Sequence, residues 1–210
     1  MEELNISEQS FGEKSNHQTD ATDLQIIFFE TGDEWRQWLE KNHHSQNGVW
    51  LRFYKKDSGI ASINHRIALD EALCYGWIDG QARKYDAESH LQKFTPRRAR
   101  SIWSKINIEH ITRLQQAGKM APSGLKEVEA AKADGRWARA YDSPSNMTMP
   151  EDFLQELAKD KKASAFFETL NKTNKYAIAW RLQTAKKPET REKRKSVIIE
   201  MLSRGEKFHA

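Results

Sequence analysis

Arg97, Arg98 and Arg100 crowd into the string FTPRRARSIWSKIN, with Trp103, Ser104 and Asn107 close behind. Planar guanidinium forks match the paired oxygens of a phosphate or carboxylate. Ser101, Ser104 and Asn107 add neutral donors. Asn107 is placed to cap a helix whose N-terminus attracts anions, and Trp103 can stack on a ring. Upstream, WIDGQ sets Trp77, Asp79 and Gly80 at a helix-to-strand junction. These residues describe a cleft for a small anionic ligand between a hairpin and a helical half. It would be lined by Trp77, Asp79, Arg97, Arg98, Trp103, Ser104 and Asn107. A purely structural role suits the same residues. The arginines can pair with Asp79, Asp86 and Glu88 across the hairpin, Trp103 can fill a core, and Asp79-Gly80 can make a turn.

Two other chemistries stay open. A catalytic carboxylate needs a second titrating group or a nucleophile, and Glu71 is the nearest to Asp79, so one alternative is an enzyme of unknown reaction using Asp79 or Glu71. Nothing in the chain establishes a reaction, and no catalytic residue is assigned. The second alternative is nucleic-acid binding through two basic patches, which is not favoured. AKKPETREKRK puts Lys187, Arg191, Arg194 and Lys195 near one helix face, and together with the Arg97 run they could grip phosphates. A solvated helix face, or a contact of Thr190 and Arg191 with the N-terminal sheet, would use the same side chains.

Metal and cofactor chemistry are not expected. His17, His43, His44, His65, His90, His110 and His209 show no ligand spacing with cysteine or carboxylates. His43 and His44 fall at a helix C-terminus, where imidazolium complements the dipole. There is no Walker loop, dinucleotide glycine fingerprint or nucleophile elbow. Cys74 is the single cysteine; it cannot form an internal disulfide and reads as a buried, inert thiol.

The elements that must position these groups follow from patterning. Charged residues make up 30% of the 210 and hydrophobic ones 38%, enough for one sizeable domain or two small ones. No apolar run is long enough to span a bilayer. The start, MEELNISEQS, is acidic and polar rather than leader-like, so a cytoplasmic protein is expected. Residues 1–22 read as a disordered acidic tail. LQIIFF is a β-type run, Thr31 caps a helix that buries a stripe of Trp35, Trp38 and Leu39, and GVWLRFYKK alternates as a strand. Trp50 and Tyr54 on its other face leave room for a helix layer or a partner subunit, and the sequence sets no oligomeric state. Asn64 caps the next helix, which Gly76 ends. A hairpin follows, with strands over 77–85 and 90–94, and Thr95-Pro96 breaks its ladder. Helices dominate thereafter, capped by Asn107 and Ser123. YDSPSNMT is a linker, and Pro150 opens a helical set. Its apolar faces are Phe153, Leu154, Leu157; Ala163, Phe166, Phe167, Leu170; Tyr176, Ala179, Trp180; and Val197, Ile198, Met201, Leu202. The expected fold is α+β: a small antiparallel sheet with packed helices over 23–142, then an all-helical part over 149–210.

Six strings in order, GVWLRFYKK, DEALCYGWIDG, FTPRRARSIWSKIN, AGKMAPSGL, DGRWARAYD and AKKPETREKR, resemble the YdeI/OmpD-associated family, also labelled bacteriocin-protection proteins. The resemblance covers roughly 24–210, and from about Pro150 the chain is similar to the family's OmdA-type helical module. Arg66 and Ile67 depart from the acidic residues expected before DEALCYGWID. The resemblance implies a role in stress protection, with resistance to cationic antimicrobial peptides and association with an outer-membrane porin. The combined expectation is a cytoplasmic ligand-binding or stress-protective protein with an anion-binding Arg/Trp cleft.

Overall fold

The computed structural model describes residues 24–209, so the tail expected over 1–22 lies outside the described residues. The chain forms two compact units. One is Met1–Ala99 with Ala117–Glu127; the other is Arg100–Gln116 with Val128–Ala210. The segments 23–142 and 149–210 expected from the sequence are contiguous, whereas these units are not.

The first unit is built on a four-stranded sheet ordered β1-β2-β4-β3, from Ile26–Ile27, Val49–Tyr54, Ser89–Pro96 and Trp77–Lys84 respectively. The β2–β4 and β4–β3 pairs are antiparallel, as expected, but β1 runs parallel to β2. Helix α1 (Gly32–Asn42) joins them, which is the crossover that parallel neighbours require. Thr31 and Glu34 start α1 with a reciprocal capping box. Trp35 and Leu39, four residues apart, are fully buried, and the Trp35 indole donates to Ala68 O at 3.0 Å. Helix α2 (His65–Cys74) is capped by Asn64 and buries Ala68, Leu69, Ala72 and Leu73.

Val49, Leu51 and Phe53 are buried on one face of β2, as their alternation predicts. Trp50 is buried too, at 3% exposure, contrary to its outward reading. Ile26 and Leu91 pack beside it, and Arg83 and Lys93 lie over its ring. Long cationic side chains can cover an indole with their stems and keep their charges in water. The ladder also outlasts the expected break at Thr95-Pro96. Pro96 is the last residue of β4, opposite Trp77, and a proline at a strand end leaves no inner rung short of a donor.

The second unit contains α3 (Lys105–Gln116), the later part of α4 (Pro122–Ala133), and four further helices. These are α5 (Glu151–Leu157), α6 (Lys161–Glu168), α7 (Lys172–Gln183) and α8 (Pro188–Ser203). The expected all-helical C-terminal part is therefore present. Phe153, Leu157, Phe167, Leu170, Ile178, Leu182, Ile198 and Leu202 make its core. Some expected core positions lie outside it: Leu154 is 38% exposed and Val197 53%. The expected positions Phe153, Leu157, Ala163, Phe167, Leu170, Ala179, Ile198 and Leu202 are buried, so the stripes of these helices face inward as their spacing predicts. Three caps are also displaced. Ser104 caps α3 in place of Asn107, α4 begins at Pro122 ahead of Ser123, and Pro150 precedes α5 as its cap. No helix among the described residues is long and apolar enough to cross a membrane.

Candidate functional site

Three chain segments meet at the turn Tyr75-Gly76-Trp77 that leads α2 into β3. Gly76 has φ of +76°, a left-handed conformation that glycine adopts without strain. A Cβ there would also come 3.0 Å from Glu127 Cγ and 3.2 Å from Ser123 O. The missing side chain thus admits the start of α4. Gly124 makes the same approach closer still, since its Cβ would stand 2.2 Å from Cys74 O. Ala121 N donates to that carbonyl at 3.0 Å, tying the end of α2 to the start of α4. From the sheet, Arg97 N donates to Gly76 O at 2.9 Å. The end of α1 supplies the remaining side: His43 O accepts from the Trp77 indole at 3.3 Å.

These segments enclose a hollow of about 570 Å³. Arg97, Lys126, His43 and His44 bring cationic or cation-capable groups to its lining; Glu40 and Glu127 bring acids; Tyr75 and Trp77 bring rings. Arg97 is only 7% exposed. His43 Nδ1 lies 2.7 Å from Leu39 O and so donates to it, satisfying a carbonyl of the last helical turn. Its ring centroid stands 3.6 Å from that of His44 and 5.0 Å from that of Tyr75. Burial pushes the Tyr75 hydroxyl above its ordinary range; Arg36 opposes the shift and Glu40 adds to it.

The seven residues expected to line a cleft are divided between the units. Trp77 and Arg97 line the hollow. Asp79 and Arg98 share their unit without lining it; Asp79 instead contacts His65, with Nε2 to Oδ2 at 3.0 Å. Trp103, Ser104 and Asn107 belong to the second unit. Trp103 is buried against Trp137 with ring centroids 5.0 Å apart, and Ser104 Oγ accepts from Asn107 N at 3.2 Å. Sequence reasoning placed His43 and His44 at a helix end but did not join them to the site, and it passed over Tyr75 and Lys126. The adjacent histidines carried a signal; Lys126 carried none, because it arrives through the close packing at Gly124.

The groups proposed for other chemistries have structural partners. Glu71 pairs with Arg36 at 2.6 Å, and Arg36 also donates to Lys119 O at 2.9 Å. Asp79 engages His65, and its hydrogen bond raises the imidazole's pKa. Burial pushes the Cys74 thiol up to about 11, which suits an inert core sulfur. Among the described residues no group of histidine, cysteine and carboxylates could hold a metal. On α8, Arg191 grips Asp152 with both forks, and Lys195 reaches Asp152 at 3.4 Å and Glu192 at 2.8 Å. Arg194 donates to Arg181 O at 2.6 Å. The Arg191 guanidinium holds the Asp152 carboxyl far below the usual carboxylate range. Arg191 and Lys195 therefore pair with an acid of their own unit.

Two family models match separate stretches of the chain, and the more N-terminal of them runs across both units. Residues 146–205 match the family described as bacteriocin-protection, YdeI or OmpD-associated (OmdA). The C-terminal helices are thus similar to the OmdA module of the YdeI/OmpD-associated proteins. That module spans under a third of the chain and contains the AKKPETREKR string. Residues 27–127 match a separate model, a domain of unknown function (DUF8412). Every residue lining the hollow falls inside this second match. The family label and the hollow thus belong to different parts of the chain. No curated protein and no solved structure matches it.

Proposed function

We propose that this is a cytoplasmic, stress-protective protein whose first unit binds a small anionic ligand in the hollow beside Arg97. The observation that carries this reading is a guanidinium nine-tenths buried on the wall of a 570 Å³ hollow with rings beside it. Low surrounding polarity strengthens the attraction of such a group for a planar oxyanion. The start of α4 adds the partial positive charge of a helix N-terminus. Glu40 and Glu127 narrow the choice. They favour a ligand that carries hydrogen-bond donors or a cationic group besides its anionic end, such as an amino acid or a hydroxylated carboxylate. Tyr75 and Trp77 supply apolar walls. The OmdA description supports the protective role, with resistance to cationic peptides as its physiological form.

Thermal shift of the full chain against phosphate, simple carboxylates, amino acids and nucleoside monophosphates tests the binding. At least one anion should raise the melting temperature of the wild type at millimolar concentration and shift folded Arg97→Gln much less. Equal shifts in the two proteins would overturn the reading. Survival of bacteria expressing the chain under cationic-peptide challenge tests the protective role, which no gain over an empty vector would refute.

A further inference from the structure

The lining of the hollow beside Arg97 balances its fixed charges. Arg97 and Lys126 are matched in number by the carboxylates Glu40 and Glu127. Between about pH 5 and 8 guanidinium, ammonium and carboxylate groups ordinarily keep their charge, and imidazole is the side chain that changes. Burial moves the Tyr75 hydroxyl still further above that range. The lining groups left to titrate are His43 and His44. His43 Nδ1 already donates to Leu39 O at 2.7 Å, so an added proton joins Nε2. The ring then becomes a cation with two donors in place of one donor and one acceptor. His44, the more exposed of the two, stands ring to ring with it at 3.6 Å. Like charges that close repel, so the pair is suited to take up a single proton. Around the pair, α1 brings Glu40 and then Lys41, the end of β4 brings Arg97, and α4 brings Lys126 and Glu127. Tyr75 packs on His43 at 5.0 Å, with Arg36 5.4 Å from the tyrosine ring and paired with Glu71.

We infer that anion binding in the hollow is coupled to protonation of the His43–His44 pair, so that the site fills as pH falls. This inference rests on the reading of the hollow as an anion site and adds its regulation. With both imidazoles neutral, the lining side chains carry no excess of positive charge, whatever else Arg97 contacts. One imidazolium supplies that excess and adds a charged donor to the wall. By linkage the coupling is reciprocal: a bound anion raises the pair's affinity for a proton by the same factor that the proton raises its affinity for the anion.

Calorimetric titration of the full chain with sulfate tests the coupling, because sulfate keeps one charge across this range and any pH dependence belongs to the protein. Affinity should rise about tenfold from pH 8 to pH 5.5, the order expected when binding favours one added proton on an imidazole. Folded His43→Asn/His44→Gln, whose new Asn amide can still donate to Leu39 O, should give a flat profile. A pH dependence equal to that of the wild type would overturn the inference. Should the double variant not fold, the wild type decides. Titrations at pH 6.5 in bis-Tris and in imidazole, buffers of different ionisation enthalpy, should show net proton uptake, and heats that agree would overturn it. A flat wild-type profile with sulfate binding still weakened by Arg97→Gln would sink the coupling and leave the anion site standing. No response to sulfate at either pH would also sink it, and the wider anion series would then judge the site alone.

Discussion

Two basic stretches look alike in the sequence and end in opposite situations. Along α8, Arg191 and Lys195 reach Asp152 on α5 and Arg194 reaches Arg181 O on α7, so these side chains fasten helices together. At the end of β4, Arg97 is buried on the wall of a hollow that also receives Lys126 and two histidines. Clustered positive charge therefore does not by itself announce a binding surface. What separates the two stretches is which neighbours the fold delivers. An acid on α5 closes the first; a turn held open by glycines makes room at the second.

The largest effect should come from closing that room. Gly124→Ala places a methyl group 2.2 Å from Cys74 O, and overpacking of this kind costs about 3 kcal/mol. Urea unfolding should show the loss, and the anion response should disappear with it; a stable variant that keeps the response would break the contrast. Next, Arg97→Gln should weaken anion affinity about tenfold, near 1.4 kcal/mol, and change unfolding little. Calorimetry with the best anion from the thermal-shift series measures it.

The counterpart on α8 should behave in reverse. Asp152→Asn should destabilise the protein by about 1 kcal/mol near neutral pH, a value reduced by the partial exposure of the pair, and leave anion binding alone. Because Asp152 titrates lower folded than unfolded, its contribution is complete above about pH 4, the ordinary aspartate range, and is lost as pH falls below it. The gap between wild type and variant, followed by acid unfolding, should narrow in that direction only. The smallest effect belongs to the His65–Asp79 pair, whose exposure limits it to about 0.3 kcal/mol. His65 titrates higher folded than unfolded, so its contribution is complete below about pH 6.5 and disappears as pH rises past the folded value. Asp79→Asn should therefore differ from wild type at pH 5.5 and converge with it at pH 9.

Much of the fold was legible because local chemistry and final packing agreed. Thr31 and Asn64 cap the helices they were expected to cap, the hairpin forms between Trp77 and Pro96, and the C-terminal third is helical. The readings moved where two neighbours offered similar local terms. Ser104 caps α3 three residues ahead of Asn107, and Trp50 is buried by cations that pattern alone would place in water. For the site, Trp77 and Arg97 could be picked out from their company in sequence. Their separation from Trp103, Ser104 and Asn107 could not, because nothing local marks the passage between units near residue 99.

The sequence by itself determined the elements and the likeness of the C-terminal helices to OmdA, since capping, alternation and helical stripes act over a few residues and leave their mark in composition. Tertiary structure alone decided which charges line a hollow and which pair across helices. That outcome depends on approaches between segments dozens of residues apart, such as Gly124 against Cys74 and Arg191 against Asp152, where a single absent Cβ or one reachable carboxylate sets the result.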